Sequence, residues 1–553
     1  MFASTWRTMT MRSPLRGIAA TSVVLTTSCA DPILPPDLGG EPFWIPVNVA
    51  TGDDLGDPAE RIPESEQAEA GPITLTDVSQ SSGVRAFVAG GNSHGVGAAF
   101  ADLDGDDWAD IVVVNGASGV LATSFDSVHL RNLGDGTFAA APESGIVSAL
   151  AGIDAYSIAT GDLDGDGDTD VYVGAQSHDI LLRNRGDGTF EDATSETGAG
   201  GPESNAALVG DGKSKVVSLA DFDNDGHLDI VSASSTLPAG AYLLRNLGDG
   251  TFEDISAASG VMIHPVGNPC AVLWSDYDTD GDRDLWIWND RGGKVLLRNE
   301  GGETLTDVTA AAGLGAVDIG NPMGIDGADI DHDGDLDYYV SNIGNNPLLR
   351  NNGDGTFLNV TQDAGTGGQY GWGLAFEDFD ADGWADIFVA QEDNRPDLVF
   401  RNRGVVPSRF DTIEVPHPAI ADARAAHNVA VAFADYDHDG RVDVLRAGTD
   451  GSPITLYRNE TDLGTHGWLE VFAAAPVADE PSGGIGARVV VSVDGELQFR
   501  DVTGGSSRAS QNELSVRFGL GHFTGAEWVG VLWPSGRTSV VRGVPAGQRL
   551  QVP

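Results

Sequence analysis

Two cysteines, Cys29 and Cys270, are all that 553 residues carry, so no disulfide framework holds this chain together. No run of eighteen apolar residues occurs, and no transmembrane helix is expected. Basic side chains are scarce: 31 Lys and Arg stand against 83 Asp and Glu, a net charge of −52. Such a chain is unsuited to nucleic-acid phosphate, which needs clustered cations, and to docking on anionic lipid through protein charge. What is abundant is glycine and acid. Glycine accounts for 74 residues, well above the ~7% usual in proteins. Hydrophobic residues make up 41%, enough to build a core. Frequent Gly and Asp imply frequent tight turns, and hence many short strands.

Residues 1–30 hold Arg7, Arg12 and Arg16 and no acid, followed by a modest apolar stretch, Gly17–Thr27, and then Ser28-Cys29-Ala30. Basic, apolar, small is the order of an export signal peptide. Two processing routes fit. Cys29 after Ser28 resembles a bacterial lipoprotein site, with Cys29 lipidated, although Thr26 stands where Leu is usual. Ordinary cleavage after Ala30 fits as well. Residues 31–71 are rich in Pro, Gly and acid and read as a disordered tether. The expected location is therefore extracellular, or at the outer membrane or cell surface as a lipoprotein. Any membrane contact would run through the N-terminal lipid alone.

Internal repeats dominate residues 72–460. The string Asp-x-Asp-x-Asp-Gly-x-x-Asp recurs seven times. Its acids are Asp102, Asp104, Asp106 and Asp110; Asp162, Asp164, Asp166 and Asp170; Asp221, Asp223, Asp225 and Asp229; Asp276, Asp278, Asp280 and Asp284; Asp329, Asp331, Asp333 and Asp337; Asp378, Asp380, Asp382 and Asp386; and Asp435, Asp437, Asp439 and Asp443. Place six is Gly in every copy but the first, where Asp107 replaces it, and place two is always apolar or aromatic, as a buried anchor would be. About twenty residues later comes a second string, Leu-Arg-Asn-Leu-Gly-Asp-Gly-Thr-Phe in its first copy, 130–138. Gly-Asp-Gly between apolar stretches marks a hairpin turn. Each unit thus reads as strand, Asp loop, strand, strand, turn, strand, the size of one propeller blade. The seventh copy stops after Asn459 without its last strand, while a spare strand of that type, Ile73–Val78, precedes the first. The expectation is an all-β, seven-bladed propeller over residues 72–460, closed by its N-terminal strand.

Four carboxylates within nine residues repel one another unless a cation sits among them. Oxygen ligands at alternate places suit a hard ion, and Ca²⁺ tolerates an irregular shell where Mg²⁺ does not. Zn²⁺ would prefer His or Cys, absent at these places. An EF-hand would need Glu at place twelve; Val113, Val173 and Ser232 stand there in the first three copies. Up to seven Ca²⁺ ions are expected, in a structural role. His227, His332 and His438 fall at non-ligand places inside the loops and read as solvated decoration.

The loops with the strands after them, such as Ala159-Thr160-Gly161-Asp162 through Val173-Gly174-Ala175, resemble the FG-GAP (VCBS) repeats of integrin α-chain propellers. That resemblance implies a seven-bladed propeller with Ca²⁺ in the blade hairpin loops. Residues 466–553 differ, carrying a net charge near zero and six strand-like stretches. Gly484-Ile485-Gly486-Ala487-Arg488-Val489, Ser510-Gln511-Asn512 through Phe518-Gly519-Leu520-Gly521, and Val531-Leu532-Trp533-Pro534-Ser535-Gly536 together resemble the ASPIC/UnbV domain. Propeller plus this domain is similar to the cartilage acidic protein family and its bacterial relatives. The resemblance implies a secreted, acidic, Ca²⁺-binding protein and no settled activity. No Ser-His-Asp or Cys-His set can be assembled, and no catalytic residue is assigned. The residues favour a non-enzymatic adhesion or ligand-binding scaffold, monomeric, whose partner is an unknown protein or glycan. The alternatives are a carbohydrate-active or other enzyme with a pocket on a propeller face, and an accessory protein of a biosynthetic or assembly pathway.

Overall fold

The computed structural model describes residues 60–553, apart from 87–94, 116–126, 177, 203–214, 235–239, 262–267, 291–292, 303, 318–319, 369, 392–394, 417–428, 450–451 and 475–479, and also the strands 7–10 and 22–25. Cys29 and the first part of the expected tether lie outside the described residues. Within the expected signal, Arg7–Thr10 pairs antiparallel with Ser22–Leu25. Among the described residues no helix is long and apolar enough to cross a membrane.

Every repeat forms one four-stranded antiparallel sheet. The first strand of each precedes the Asp loop: Val96–Ala101, Ala155–Gly161, Lys215–Ala220, Asn268–Ser275, Pro322–Ala328, Gly371–Glu377 and Val429–Ala434. The second begins at place nine of the loop: Asp110–Asn115, Asp170–Ala175, Asp229–Ser234, Asp284–Asp290, Asp337–Asn342, Asp386–Gln391 and Asp443–Gly448. The third ends on the Asn of the second string: Val128–Asn132, Ile180–Asn184, Ala241–Asn246, Gly293–Asn299, Leu348–Asn351, Asp397–Asn402 and Thr455–Asn459. A short outer strand follows in six sheets: Phe138–Ala140, Phe190–Asp192, Phe252–Asp254, Leu305–Asp307, Phe357–Asn359 and Phe410–Val415. In the seventh its place is taken by Leu75–Asp77, paired with Thr455–Asn459. Numbered in chain order, the sheets pack through their first strands, each against the next, and Val429–Ala434 of sheet 7 packs on Val96–Ala101 of sheet 1. The result is a propeller-like ring. Nearly every residue of the first two strands is buried, because sheets face each other on both sides. Between sheets 7 and 1, for example, Phe100, Ile111 and Leu130 meet Tyr436, Leu445 and Leu456.

The C-terminal domain has two sheets. Gly467–Ala473 lies between antiparallel Val516–Gly521 and parallel Gln548–Val552. Arg488–Val493 and Gly525–Leu532 form the centre of a second sheet, flanked by Glu496–Asp501 and Thr538–Pro545. Sequence reasoning anticipated all but the last strand, Gln548–Val552. The domain's core, including Leu469, Val489, Val529 and Trp533, is continuous with Leu163, Leu219 and Leu228 of the ring. Burial of shared apolar surface therefore seats the domain on the ring.

Between two strands of this domain, residues 503–513 enter the middle of the ring. Gly504 O accepts from Leu219 N (2.6 Å), Ser507 exchanges two backbone hydrogen bonds with Ile325 (3.0 and 3.3 Å), and Gln511 exchanges two with Ala98 and Phe100 (3.0 and 3.2 Å). Ala509 O accepts from Ile158 N (3.3 Å) and Glu513 N donates to Phe433 O (3.0 Å). Ser507 Oγ accepts from Leu374 N (2.8 Å). First strands are edge strands facing the ring centre, with backbone groups that need partners; the plug supplies some of them in six sheets. Gly97 makes room for it, since a Cβ there would lie 2.7 Å from Ala509 O.

The end of the expected tether is not loose. Ile62 N donates to His522 O (2.8 Å) and Thr524 N to Glu60 O (3.0 Å). Further on, Thr465 N donates to Ala68 O (2.9 Å) and Gly71 N to Asp462 O (2.7 Å). Residues 60–71 form a strap along the C-terminal domain. Their polar composition suggested disorder, but backbone pairing needs no apolar side chains.

Candidate metal centres

Each Asp loop is the hairpin between the first and second strand of its sheet, which sets all four carboxylates on one tight frame. Place one accepts the main-chain N–H of place six through Oδ2 in all seven loops, from 2.7 Å at Gly440 to 3.3 Å at Gly281. Place five accepts the N–H of place seven through Oδ1 at 2.9–3.1 Å. The expected bend is present: place six has φ between +85° and +100° at its six glycines and +74° at Asp107. Place four is left-handed too, a feature the sequence hid. Gly, Asn, Thr, His and Ala all occupy it, with Thr279 at +60° and Ala381 at +56°, a conformation that costs non-glycine residues about 1–2 kcal/mol.

Place nine is buried at the start of the second strand. Its Oδ1 accepts the backbone N–H of the Asn that ends the third strand at 2.7–2.8 Å in every sheet. These asparagines, Asn132, Asn184, Asn246, Asn299, Asn351, Asn402 and Asn459, were not singled out from sequence. Each also sends its side-chain Nδ2 to the place-two carbonyl of the preceding sheet's loop at 2.8–3.0 Å, and Asn132 closes the circle onto Tyr436. The signal was visible in retrospect: Asn is invariant across the seven copies of a string otherwise explained by a turn.

Place three tests whether a cation fits. Its Oδ2 faces an arginine of the second string in four loops, as in Arg131–Asp104 (2.7 Å), Arg183–Asp164 (2.9 Å), Arg458–Asp437 (2.7 Å) and Arg401–Asp380. Its Oδ1 is buried without a hydrogen-bond partner at all seven positions: Asp104, Asp164, Asp223, Asp278, Asp331, Asp380 and Asp437. An unpartnered buried oxygen costs about 1–3 kcal/mol, and seven equivalent ones are aimed where a cation would satisfy them. Ligand oxygens of Asp102, Asp104 and Asp106, and of Asp276, Asp278 and Asp284, lie within 4.8 Å of one another. The donor set is oxygen only, so the clusters could hold a hard metal ion. Burial, reinforced by neighbouring carboxylates, raises the acids: Asp106 to about 6, Asp280 to about 7, Asp170 to about 8, and Asp284, Asp337 and Asp386 well above the ordinary carboxylate range.

Two loop histidines are not solvated. His332 stacks on Trp384 of the next loop (3.9 Å between centroids, 6°), and His438 stacks on Trp108 of the first (3.8 Å, 8°). Left-handed place four turns each ring toward place seven of its neighbour. Burial lowers His332 to about 4.

The C-terminal domain lies over this same rim. Gly521 N donates to Ala381 O (3.0 Å), and Arg488 Nη2 donates to Asp276 O (3.4 Å). Asp501 accepts from Arg283 (2.6 Å) and Arg488 (2.7 Å); burial opposes its ionisation, but the two guanidiniums hold it down at about 2. Arg283 also reaches Gly486 O. A cavity of about 70 Å³ remains beneath the domain, lined in part by Asp326, Glu377, Arg500, Glu513 and Arg517. Two of the three recognisable strings of the domain thus supply ring contacts, through Gly486 and Arg488, through Gln511 and Glu513, and through the Gly519–Gly521 turn, while Asp501 and the plug residues Gly504, Ser507 and Ala509 reach the ring from outside them.

The family profile of FG-GAP-like repeats matches residues 116–173, 162–212, 221–287, 276–340, 329–389 and 378–446, and that of ASPIC and UnbV matches 479–553. Cartilage acidic protein 1 of Xenopus tropicalis is 24% identical over 481 residues, 80% of this chain and 70% of that protein. The Homo sapiens protein is 29% identical over 209 residues, 35% of this chain and 30% of its own length. Among solved structures, an Agrocybe aegerita lectin described as recognising non-reducing terminal N-acetylglucosamine is 20% identical, covering 64% of this chain and 86% of its own, with a TM-score of 0.38. The exotype rhamnogalacturonan lyase YesX is 12% identical, covering 72% and 75%, with a TM-score of 0.35. Likenesses this slight carry no argument about ligands. With seven repeat sheets on one frame and both profiles in place, the chain belongs to the FG-GAP-like repeat family and ends in an ASPIC and UnbV domain.

Proposed function

We propose that this protein is an exported, Ca²⁺-stabilised scaffold that binds a protein or glycan and catalyses nothing. The seven buried, unpartnered Oδ1 atoms at place three carry the proposal. Asp at places one, three, five and nine would hold Ca²⁺ in each loop, and the ion would neutralise carboxylates that otherwise repel. At about 1 mM Ca²⁺ and a Kd of about 0.1 mM, such binding stabilises the fold by about 1.4 kcal/mol per site.

The non-enzymatic part draws on how the C-terminal domain is used. Gly486, Arg488, the plug and the Gly519–Gly521 turn are committed to contacts with the ring, and the cavity beneath the domain, about 70 Å³, has room for a few waters rather than a sugar. Export draws on the N-terminal arrangement of arginines, apolar residues and Cys29. The partner class draws on the acidic composition of the chain, 83 Asp and Glu against 31 Lys and Arg, which disfavours nucleic acid. A glycan and protein array probed with and without Ca²⁺ tests the reading. Retention that depends on Ca²⁺, with the captured ligand recovered intact, is expected; turnover of the ligand would overturn it. Mass spectrometry of the mature N-terminus decides between lipidated Cys29 and a start at Asp31.

A further inference from the structure

Beside the sixth Asp loop, but with none of its carboxylates, three side chains from distant parts of the chain meet: Glu69 of the strap, His466 just before the strand Gly467–Ala473, and His522 just after Val516–Gly521. One ligand atom from each lies within 4.8 Å of the others. The imidazoles are sheltered, at 3% and 12% exposure, whereas Glu69 reaches in from the surface at 85%. The rings meet edge to face with centroids 4.7 Å apart.

Hydrogen bonds behind the rings define which nitrogens face inward. His466 Nδ1 lies 2.8 Å from the main-chain oxygen of Asp380. A carbonyl can only accept, so Nδ1 carries the proton and the neutral ring presents a lone pair at Nε2. His522 Nδ1 lies 3.0 Å from Thr465 Oγ1. That hydroxyl already gives its one proton to Ala68 O (3.2 Å) and accepts from Ala68 N (3.0 Å). It can therefore accept from His522 Nδ1, which leaves a second Nε2 lone pair. The two Nε2 atoms sit 3.4 Å and 3.9 Å from the oxygens of the Glu69 carboxylate. Two lone pairs and an anion thus share one small volume. Imidazoles anchored through Nδ1 to backbone or hydroxyl oxygen are the usual support of metal-binding histidines.

We propose that Glu69, His466 and His522 bind a divalent transition metal, Zn²⁺ in the first place. Tetrahedral Zn²⁺ with ligands at about 2.0–2.1 Å separates them by about 3.3–3.4 Å; the Nε2 atoms lie 3.4 and 3.9 Å from Glu69, and the trio within 4.8 Å, so a small contraction would close the site. Two nitrogens and one oxygen differ in kind from the all-oxygen Asp loops, so the ion would not compete for the same sites. The fourth position opens to solvent on the Glu69 side. The ion fastens the strap to a residue 453 positions away and, through the Asp380 carbonyl, fixes both to the sixth Asp loop.

The test uses tag-free protein at about 2 mM Ca²⁺, enough to occupy the Asp loops. Co²⁺ is titrated first, because its visible absorption reports tetrahedral nitrogen and oxygen ligation; Zn²⁺ is then titrated against a coloured competing chelator. One equivalent of tetrahedral Co²⁺, displaced by Zn²⁺, is expected. Glu69→Gln should weaken Zn²⁺ by more than the roughly 10–100-fold that loss of a supporting partner costs, and His522→Ala should abolish the spectrum. Zn²⁺ should also protect residues 60–71 from protease. Glu69 is on the surface, so Glu69→Gln tests the site without threatening the fold. No tetrahedral spectrum, or Zn²⁺ affinity unchanged in Glu69→Gln, would overturn the proposal and leave the trio a polar cluster that binds no ion.

Discussion

The loops Asp162–Asp170 and Asp378–Asp386 have the same four carboxylates on the same backbone frame, but different surroundings. In the second loop Gly165, Asp166 and Gly167 are exposed to water. In the sixth, Ala381 and Gly383 are buried and Asp382 half-buried, and the Asp380 carboxylate is fully covered against 20% exposure for Asp164. The cover is the C-terminal domain, through the Gly519–Gly521 turn, His466 and Gln498. Burial raises Asp378 and Asp386 well above the ordinary range. The repeat thus encodes the carboxylate frame, while the domain above it decides how dry that frame is. A cation in the sixth loop would be held under the domain, and its loss would unseat what covers it; one in the second would exchange with solvent.

The broadest way to sharpen the contrast is pH in the presence of chelator. A carboxyl whose folded pKa is raised binds its proton more tightly in the folded state, so its stabilisation is present at low pH and lost as pH rises through the folded value. With Asp106 and Asp278 at about 6, Asp280 and Asp382 at about 7 and Asp170 and Asp435 at about 8, cation-free protein should lose stability steadily from about pH 4, where the unfolded carboxyls ionise, to about pH 8. Denaturant melts in EDTA at a series of pH values measure this, and saturating Ca²⁺ should flatten the slope. Stability rising with pH in EDTA would mean that the loops do not repel.

Gly519→Ala attacks the cover directly. Its Cβ would lie 2.0 Å from Asp378 Oδ2 and 2.4 Å from the Ala381 backbone, an overlap expected to cost about 1–3 kcal/mol. Hydrogen exchange should quicken at 378–386 and stay unchanged at 162–170; equal change in both loops would erase the distinction. A smaller effect separates Asp380→Asn from Asp164→Asn. Each removes one place-three charge, but only the first leaves polar groups stranded in a dry site, so it should be the more destabilising in Ca²⁺ by about 1 kcal/mol. Thermal melts of the pair are sufficient.

The smallest effect is expected at Asp107. Its backbone is left-handed at φ +74°, and its carboxylate, 83% exposed, makes one long contact of 3.5 Å to Arg549. Relief of strain in Asp107→Gly is worth about 1 kcal/mol, more than a surface ion pair contributes on average. Ca²⁺ should bind the first loop more tightly in the variant, in a site-resolved titration; weaker binding would mean that the carboxylate assists the ion.

Much of the fold could be read in advance because its signals are local and repeated. The spacing of Asp, Leu-Arg-Asn and Gly-Asp-Gly marks four strands per unit, and the orphan strand at Leu75–Asp77 pairs where the incomplete seventh unit needs it. Place six declares its bend through glycine. Place four does not, since His332 and Ala381 reach left-handed conformations under the pull of the frame rather than by preference. The His–Trp stacks and the plug contacts are invisible for another reason: their partners belong to other sheets or to a domain hundreds of residues away; the repeated Asn shows in the sequence, but not the carbonyl of the preceding sheet that it reaches. The strap misled for the same cause, its order coming from backbone partners such as His522 and Asp462 rather than from its own composition.

Thermal unfolding in excess EDTA, followed by return of Ca²⁺ or Mg²⁺, tests the central claim most directly. A large fall in Tm is expected, because seven carboxylate clusters and their seven unpartnered Oδ1 atoms would lose the ion that reconciles them. Ca²⁺ should restore Tm and Mg²⁺ should do so poorly, since it demands a stricter octahedral shell. A Tm unchanged by EDTA would contradict the account and reduce the loops to acidic turns.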